Sequence, residues 1–125
     1  MKRMLIVDDE QDLLDLLTEH FEGRYEVDTA TSGAAAIERF VRRRPDVVFL
    51  DVNIPGTSGV EVLKLLKQTD PGIPVIMVTA NTEILVAEQC LKQGALSYVP
   101  KPFNLVYMDH MAAVAVEQRR DSRPR

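Results

Sequence analysis

Short apolar runs rich in β-branched residues alternate along the chain with longer segments whose apolar positions recur at helical spacing. The runs are Met4–Val7, Tyr25–Ala30, Val47–Leu50, Val75–Val78 and Ser97–Val99, and each predicts a strand. Between them lie stripes at three- and four-residue intervals. Leu13, Leu14, Leu17 and Phe21 form the first; Ile37, Phe40 and Val41 the second; Val62, Leu63 and Leu66 the third. Ala87, Cys90 and Leu91 mark a fourth helix, and Leu105, Met108, Met111, Ala112 and Ala115 a fifth, from Asn104 to about Arg120. The punctuation agrees. Ser32-Gly33 precedes the second helix, and Thr57-Ser58-Gly59 precedes the third with Ser58 as its cap. Gly23 and Gly94 fall where the first and fourth helices should stop, while Pro45 and Pro71-Gly72-Ile73-Pro74 break the chain ahead of strands three and four.

Strict alternation of strand and helix implies an α/β fold: parallel strands, right-handed crossovers and helices on both faces of the sheet. The uninterrupted runs VVFL and VIMV suit central strands covered on both sides. In such open sheets the functional crevice lies beyond the carboxyl ends of the strands.

Length and composition narrow the class. The chain has 125 residues, about one domain, with 46% apolar and 27% charged residues, so wholesale disorder is excluded. The longest apolar run, Met111–Val116, is far too short to cross a membrane, and no secretory leader is recognisable. One cysteine, Cys90, excludes an internal disulfide and a cysteine-based metal site, and a cytosolic protein is expected. The net charge of −4 disfavours nucleic-acid binding by bulk electrostatics. The charge is unevenly spread: residues 119–125 sum to +3 and the preceding 118 to −7. A globular unit over 1–120 is expected, followed by a basic, disordered tail or linker stub at 121–125.

The predicted strand ends carry the candidate chemistry. Asp8 and Asp9 follow the first strand, Asp51 the third, Thr79 the fourth and Lys101 the fifth. A parallel sheet brings these ends to one rim. Taken singly, an Asp after a strand is usually a cap or turn residue, Thr79 could cap the fourth helix, and Lys101 could be a solvated charge. Their coincidence on one rim favours a site. Clustered carboxylates repel, so at least one pKa should rise unless a cation lies among them. All-oxygen ligands without His or Cys point to a hard cation, and Mg²⁺ fits best. Lys101 and Thr79 would suit an incoming phosphoryl group, and a carboxylate is the expected acceptor, because no Ser or Cys nucleophile sits at the strand ends.

The segments LIVDDE (5–10), VVFLDVNIPGTSGVEVL (47–63), PVIMVTAN (74–81) and GALSYVPKPF (94–103) together resemble the receiver domain of two-component response regulators, the CheY-like family. The resemblance spans nearly the whole chain, in order and spacing. It implies a flavodoxin-like, doubly wound sandwich with a five-stranded parallel sheet in the order 2-1-3-4-5. It implies Asp51 as phosphoacceptor, and Asp8, Asp9, Asp51 and the backbone carbonyl of Asn53 as Mg²⁺ ligands. It implies Thr79 and Lys101 as holders of the phosphoryl oxygens, and Ala80 as the small residue that leaves the acceptor accessible. Tyr98 matches the aromatic that turns inward when Thr79 moves, and Pro102 the proline after a cis peptide. The implied function is a phosphorylation-activated switch, with a histidine kinase or phosphotransfer protein as partner. A homodimer through the fourth helix, fifth strand and fifth helix is a further expectation. The chain itself would be no enzyme beyond its own phosphorylation and dephosphorylation.

The sequence departs from the family pattern in places. Ile54 stands where Met is commonest. The fifth helix carries Met108, Met111, Ala112, Ala113, Val114, Ala115 and Val116, apolar over more than one face. No DNA-binding module follows in the sequence, so a stand-alone receiver, or one that ends where an output domain begins, is expected. An aspartate-dependent phosphatase of similar topology would use Asp-x-Asp; Asn53 occupies the second position and cannot act as general acid. A flavin-binding domain would need a phosphate loop after strand one, where the acidic Asp8–Gln11 stands. His20 and His110 are expected at the surface without partners, Cys90 as a small core residue, and Arg42-Arg43-Arg44 as a solvated helix end.

Overall fold

Every residue of the central strand β3 (Val47–Asp51) is buried, as its unbroken apolar run requires. Around it lie β1 (Lys2–Val7), β2 (Tyr25–Ala30), β4 (Val75–Thr79) and β5 (Ser97–Pro100), interleaved with α1 (Gln11–Phe21), α2 (Gly33–Arg42), α3 (Gly59–Thr69), α4 (Ile84–Lys92) and α5 (Leu105–Ser122). The structure is a computed structural model that describes residues 1–80 and 84–122. All four strand pairings are parallel, and the sheet order is β2-β1-β3-β4-β5, as expected.

The two-residue period of the strands sorts the core into two layers. Leu5 and Val7, Val48 and Leu50, and Val75 and Met77 face one way, packing against Phe40 of α2, Val62, Leu63 and Leu66 of α3, and Cys90 of α4. Met4 and Ile6, Val47 and Phe49, and Ile76 and Val78 face the other way, against Leu14, Leu17 and Phe21 of α1 and Met108, Met111, Ala112 and Ala115 of α5. Each fully buried side chain of this size stabilises by roughly 1.5–3 kcal/mol. Within the second layer Phe21 stacks on Phe49 with centroids 6.1 Å apart and meets Tyr25 edge-on.

Serines open two of the helices as expected. Ser32 accepts from the Ala35 amide at 3.1 Å, and Ser58 from the Glu61 amide at 3.3 Å. The two glycines expected as stops behave differently. Gly94 ends α4 with φ +106, a conformation that costs glycine little, and its amide donates to the Leu91 carbonyl. Gly23 has no positive φ; α1 closes instead with a right-handed Glu22 whose amide donates to the Thr18 carbonyl. Helix α5 runs on to Ser122, past the boundary expected after Arg120, and 123–125 of the expected tail lie outside the described residues. Among the described residues, no helix is long and apolar enough to cross a membrane.

Candidate functional site

Strand alternation also sorts the side chains at the carboxyl rim. Asp8 continues the series Met4, Ile6; Asp51 continues Val47, Phe49; Lys101 continues Val99. All three therefore rise on the α1–α5 side of the sheet. Thr79 continues Val75 and Met77, and Tyr98 packs against the same layer, so these two belong to the α2–α4 side. Backbone bonds extend the ladder into the rim: the Asp8 amide donates to the Ala30 carbonyl at 3.1 Å, Val52 to Val78 at 3.0 Å and Lys101 to Thr79 at 2.8 Å.

Residues 50 and 93 positions apart in the chain meet at Lys101. Its ammonium donates to Asp51 Oδ2 at 3.0 Å and to Asp8 Oδ2 at 3.1 Å. Asp8 and Asp51 are only 2% and 4% exposed. Each carboxylate is also steered by a nearby backbone amide, Glu10 donating to Asp8 Oδ1 at 2.9 Å and Asn53 to Asp51 Oδ1 at 3.0 Å. Burial pushes the Asp51 carboxyl up to about 6; the hydrogen bonds from Lys101 and the Asn53 amide and the Lys101 charge pull against this, and the Asp8 charge adds to it. Burial alone would lower the Lys101 ammonium, but bonding to Asp51, and then to Asp8, outweighs it and the net shift is upward. The rise at Asp51 thus comes chiefly from burial and least from the Asp8 charge, and the cation among the acids is Lys101. A carboxylate held partly against its ionisation is more basic, and so more nucleophilic, than a solvated one.

The remaining expected residues take their places as follows. Thr79, fully buried at the end of β4, donates its hydroxyl to the Ala80 carbonyl at 3.0 Å rather than to a carboxylate. Ala80 is half-buried. Tyr98 is half-buried on β5, in register with Met77. The Lys101–Pro102 peptide is cis. Asp9 is exposed next to Asp8, and Glu10 joins them: carboxylate oxygens of Asp8, Asp9 and Glu10 lie within 4.8 Å of one another. This donor set is all oxygen, with one buried member and two open to water, which fits a hard cation that keeps part of its hydration. Glu10 carries no strand-end signal, which is why sequence reasoning did not select it.

Two polar networks away from the rim were not foreseen. His20 bonds Asp109 of α5 at 2.7 Å, and Arg24 joins the same carboxylate at 3.0 Å. His20 is therefore half-buried and partnered, contrary to expectation. Burial would raise the Asp109 carboxyl, but the His20 and Arg24 bonds outweigh it and the net shift is downward. At the opposite end of the sheet, Arg119 of α5 grips both oxygens of Asp70 at the end of α3, one at 2.9 Å, and Arg44 lies 3.8 Å away.

Known proteins resemble this chain in sequence and in fold. The family described as "Response regulator receiver domain" matches residues 4–113. Sporulation initiation phosphotransferase F of Bacillus subtilis (strain 168) is 40% identical over 106 residues, covering 83% of this chain and 85% of that protein. Nitrogen assimilation regulatory protein NtrX of Azorhizobium caulinodans is 34% identical over 126 residues, covering 96% of this chain but only 28% of that protein. Among solved structures, the receiver domain of NtrX from Brucella abortus superposes with a TM-score of 0.86 at 31% identity, covering 91% of this chain and 98% of that one.

Proposed function

This chain belongs to the response regulator receiver domain family of two-component systems, and on that premise we propose that it is a switch set by phosphorylation of Asp51. One observation carries the proposal: Asp8, Asp51 and Lys101, far apart in sequence, are brought within 3.1 Å contacts at the rim of a parallel sheet.

In the proposed transfer, a carboxylate oxygen of Asp51 attacks the phosphorus of a phosphohistidine on a kinase or phosphotransfer partner. The P–O bond forms as the P–N bond breaks, and the imidazole leaves. Asp8 and Asp9, with Asp51 and the Asn53 carbonyl, would hold Mg²⁺, which supplies charge neutralisation for the phosphoryl oxygens; Glu10 is placed to assist. Lys101, already against Asp51, keeps its ammonium on a phosphoryl oxygen. Thr79 gives up its bond to the Ala80 carbonyl to donate to another, and half-buried Tyr98 follows into the space on the α2–α4 side. The new charge of about −2 thereby reaches the α4–β5–α5 surface.

The two helices that flank β5 expose apolar side chains, Ile84, Leu85 and Leu91 of α4 and Val106, Tyr107 and Val114 of α5, which supports an output through them. A second copy or a downstream partner would dock on them in the phosphorylated state. Nothing in the site favours a phosphatase: Asn53 stands where a general acid would be needed.

The test is incubation with Mg²⁺ and acetyl phosphate followed by intact-mass measurement. The wild type should gain one hydroxylamine-labile phosphoryl group, and Asp51→Asn none. A variant labelled to the wild-type extent removes Asp51 from the role.

A further inference from the structure

The acceptor sits at the foot of a loop, Val52–Ser58, that connects β3 to α3, and a glycine closes that loop onto the strand. A side-chain carbon placed on Gly59 would lie 2.5 Å from the Asp51 carbonyl oxygen, 2.8 Å from Val52 Cα and 2.8 Å from the Val52 carbonyl oxygen. All three are main-chain atoms, so no rotamer change relieves the contact. The Gly59 amide also donates to the Val52 carbonyl at 2.8 Å. The first turn of α3 is therefore docked directly on the backbone of the acceptor strand, at a distance only glycine permits. The far side of the loop is held similarly. A carbon on Gly33, at the start of α2, would meet Thr57 Cβ at 3.0 Å and Val62 Cγ2 at 3.1 Å.

We propose that Gly59, backed by Gly33, is a positioning residue for the phosphoryl transfer, fixing the loop against Asp51 so that the Asn53 amide holds the carboxylate on its reacting line. The proposal rests on Asp51 as phosphoacceptor. Strand β3 cannot yield, because it is bonded along both edges, to β1 and to β4. A methyl at 59 must instead push α3 away, and reaching ordinary contact at 3.4 Å from the Asp51 oxygen opens the junction by about 0.9 Å. Val52 is tied to the sheet by the bond from its amide to the Val78 carbonyl, so the displacement falls on the short loop from Asn53 onward. The Asn53 amide, 3.0 Å from Asp51 Oδ1, then no longer fixes the carboxylate. Misplacement on this scale slows a reaction on the order of tenfold to a hundredfold.

The experiment compares wild type, Gly59→Ala, Gly33→Ala and the control Gly23→Ala, which has nothing within 4 Å of its added carbon. Phosphorylation rates with Mg²⁺ and acetyl phosphate are measured against donor concentration, alongside the amide shifts of Asn53 by NMR. Gly59→Ala should lose about tenfold or more in the limiting rate with little change in the donor concentration at half-rate, and its Asn53 amide should move. Gly33→Ala, whose neighbours are side chains able to give by tenths of an ångström, should show a smaller loss and a smaller shift. Gly23→Ala should match the wild type in both. A folded Gly59→Ala with wild-type rate and an unmoved Asn53 amide overturns the proposal. Where Gly59→Ala does not fold, wild-type rate and shift in Gly33→Ala overturn it equally. A wild type that is not labelled at Asp51 at all contradicts the acceptor assignment instead, so the two failures are distinguishable.

Discussion

Replacing Asp51 by Asn should make the protein more stable at neutral pH. Asp51 is 4% exposed, and its carboxyl is raised from 3.8 to about 6 despite two bonds from Lys101 and the Asn53 amide. The unfolded chain has no such shift. Below the unfolded value the carboxyl is protonated in both states and the ionisation cost is absent. Between the two values the folded state holds a proton that the unfolded state has released, and stability falls as pH rises. Above about 6 the cost is complete. A shift of about two units at about 1.4 kcal/mol each gives a penalty of about 3 kcal/mol. Asn removes the charge but also leaves Lys101 with one carboxylate instead of two, so the net gain should be about 1–3 kcal/mol. For a domain of this size that is roughly 3–5 °C in Tm per kcal/mol. The assay is urea and thermal unfolding of wild type and Asp51→Asn with a chelator present, at pH values from 4 to 8. The gain should be full at pH 7.5 and shrink as pH falls toward 4. Millimolar Mg²⁺ should narrow the gap from the other side, because an ion bound only by folded wild type adds RT ln(1 + [L]/Kd) to its stability. An Asn variant no more stable than wild type at pH 7.5 without metal refutes the reasoning. So does a gain that is unchanged at pH 4.

Other outcomes follow from single contacts. Arg119→Met should destabilise by about 2 kcal/mol, because it strips a largely buried carboxylate of its two-pronged partner. The Arg119 bond holds the Asp70 carboxyl below its usual range, so this loss should fade as pH falls through that range, which acid unfolding of both proteins would show. Ser32→Ala should cost about 1 kcal/mol in urea unfolding with an unchanged slope, through loss of the α2 cap. Beryllofluoride with Mg²⁺ should increase sedimentation-detected self-association or, failing a second copy as partner, shift amides around Tyr98 and α5; an unchanged spectrum and sedimentation profile would remove the α4–β5–α5 face as output.

Much of the fold was legible because it rests on local patterns. VVFL and VIMV suit central strands buried on both sides, and their alternation with helical stripes leaves a parallel sheet as the natural arrangement. A parallel sheet then gathers its own strand ends, which is why Asp8, Asp51 and Lys101 could be grouped before any geometry was known. Strand parity, once the strands are placed, puts Thr79 and Tyr98 on the other face from the charged trio, but the turn of the Thr79 hydroxyl to its neighbour's carbonyl was not legible. Long-range pairs between helices were invisible for a different reason. His20 and Asp109 are 89 residues apart, and Asp70 and Arg119 are 49 apart; each meeting depends on how helices lie on the sheet, which charged residues do not encode. The sequence also treats Gly23 and Gly94 alike, although only Gly94 takes a left-handed conformation. Helix α5 shows the same limit: its surplus of apolar residues is plain in the sequence, yet only the packing separates buried Met108, Met111, Ala112 and Ala115 from exposed Val106 and Val114.

The central claim is that Asp51 accepts the phosphoryl group. Its most direct test is chemical trapping of the phosphorylated protein, since borohydride reduces an acyl phosphate to an alcohol and leaves free carboxylates untouched. After labelling with Mg²⁺ and acetyl phosphate, reduction and proteolysis, tandem mass spectrometry should find the reduced residue at position 51 and at no other acidic position. Reduction at Asp8, Asp9 or Glu10 with position 51 intact would contradict the account.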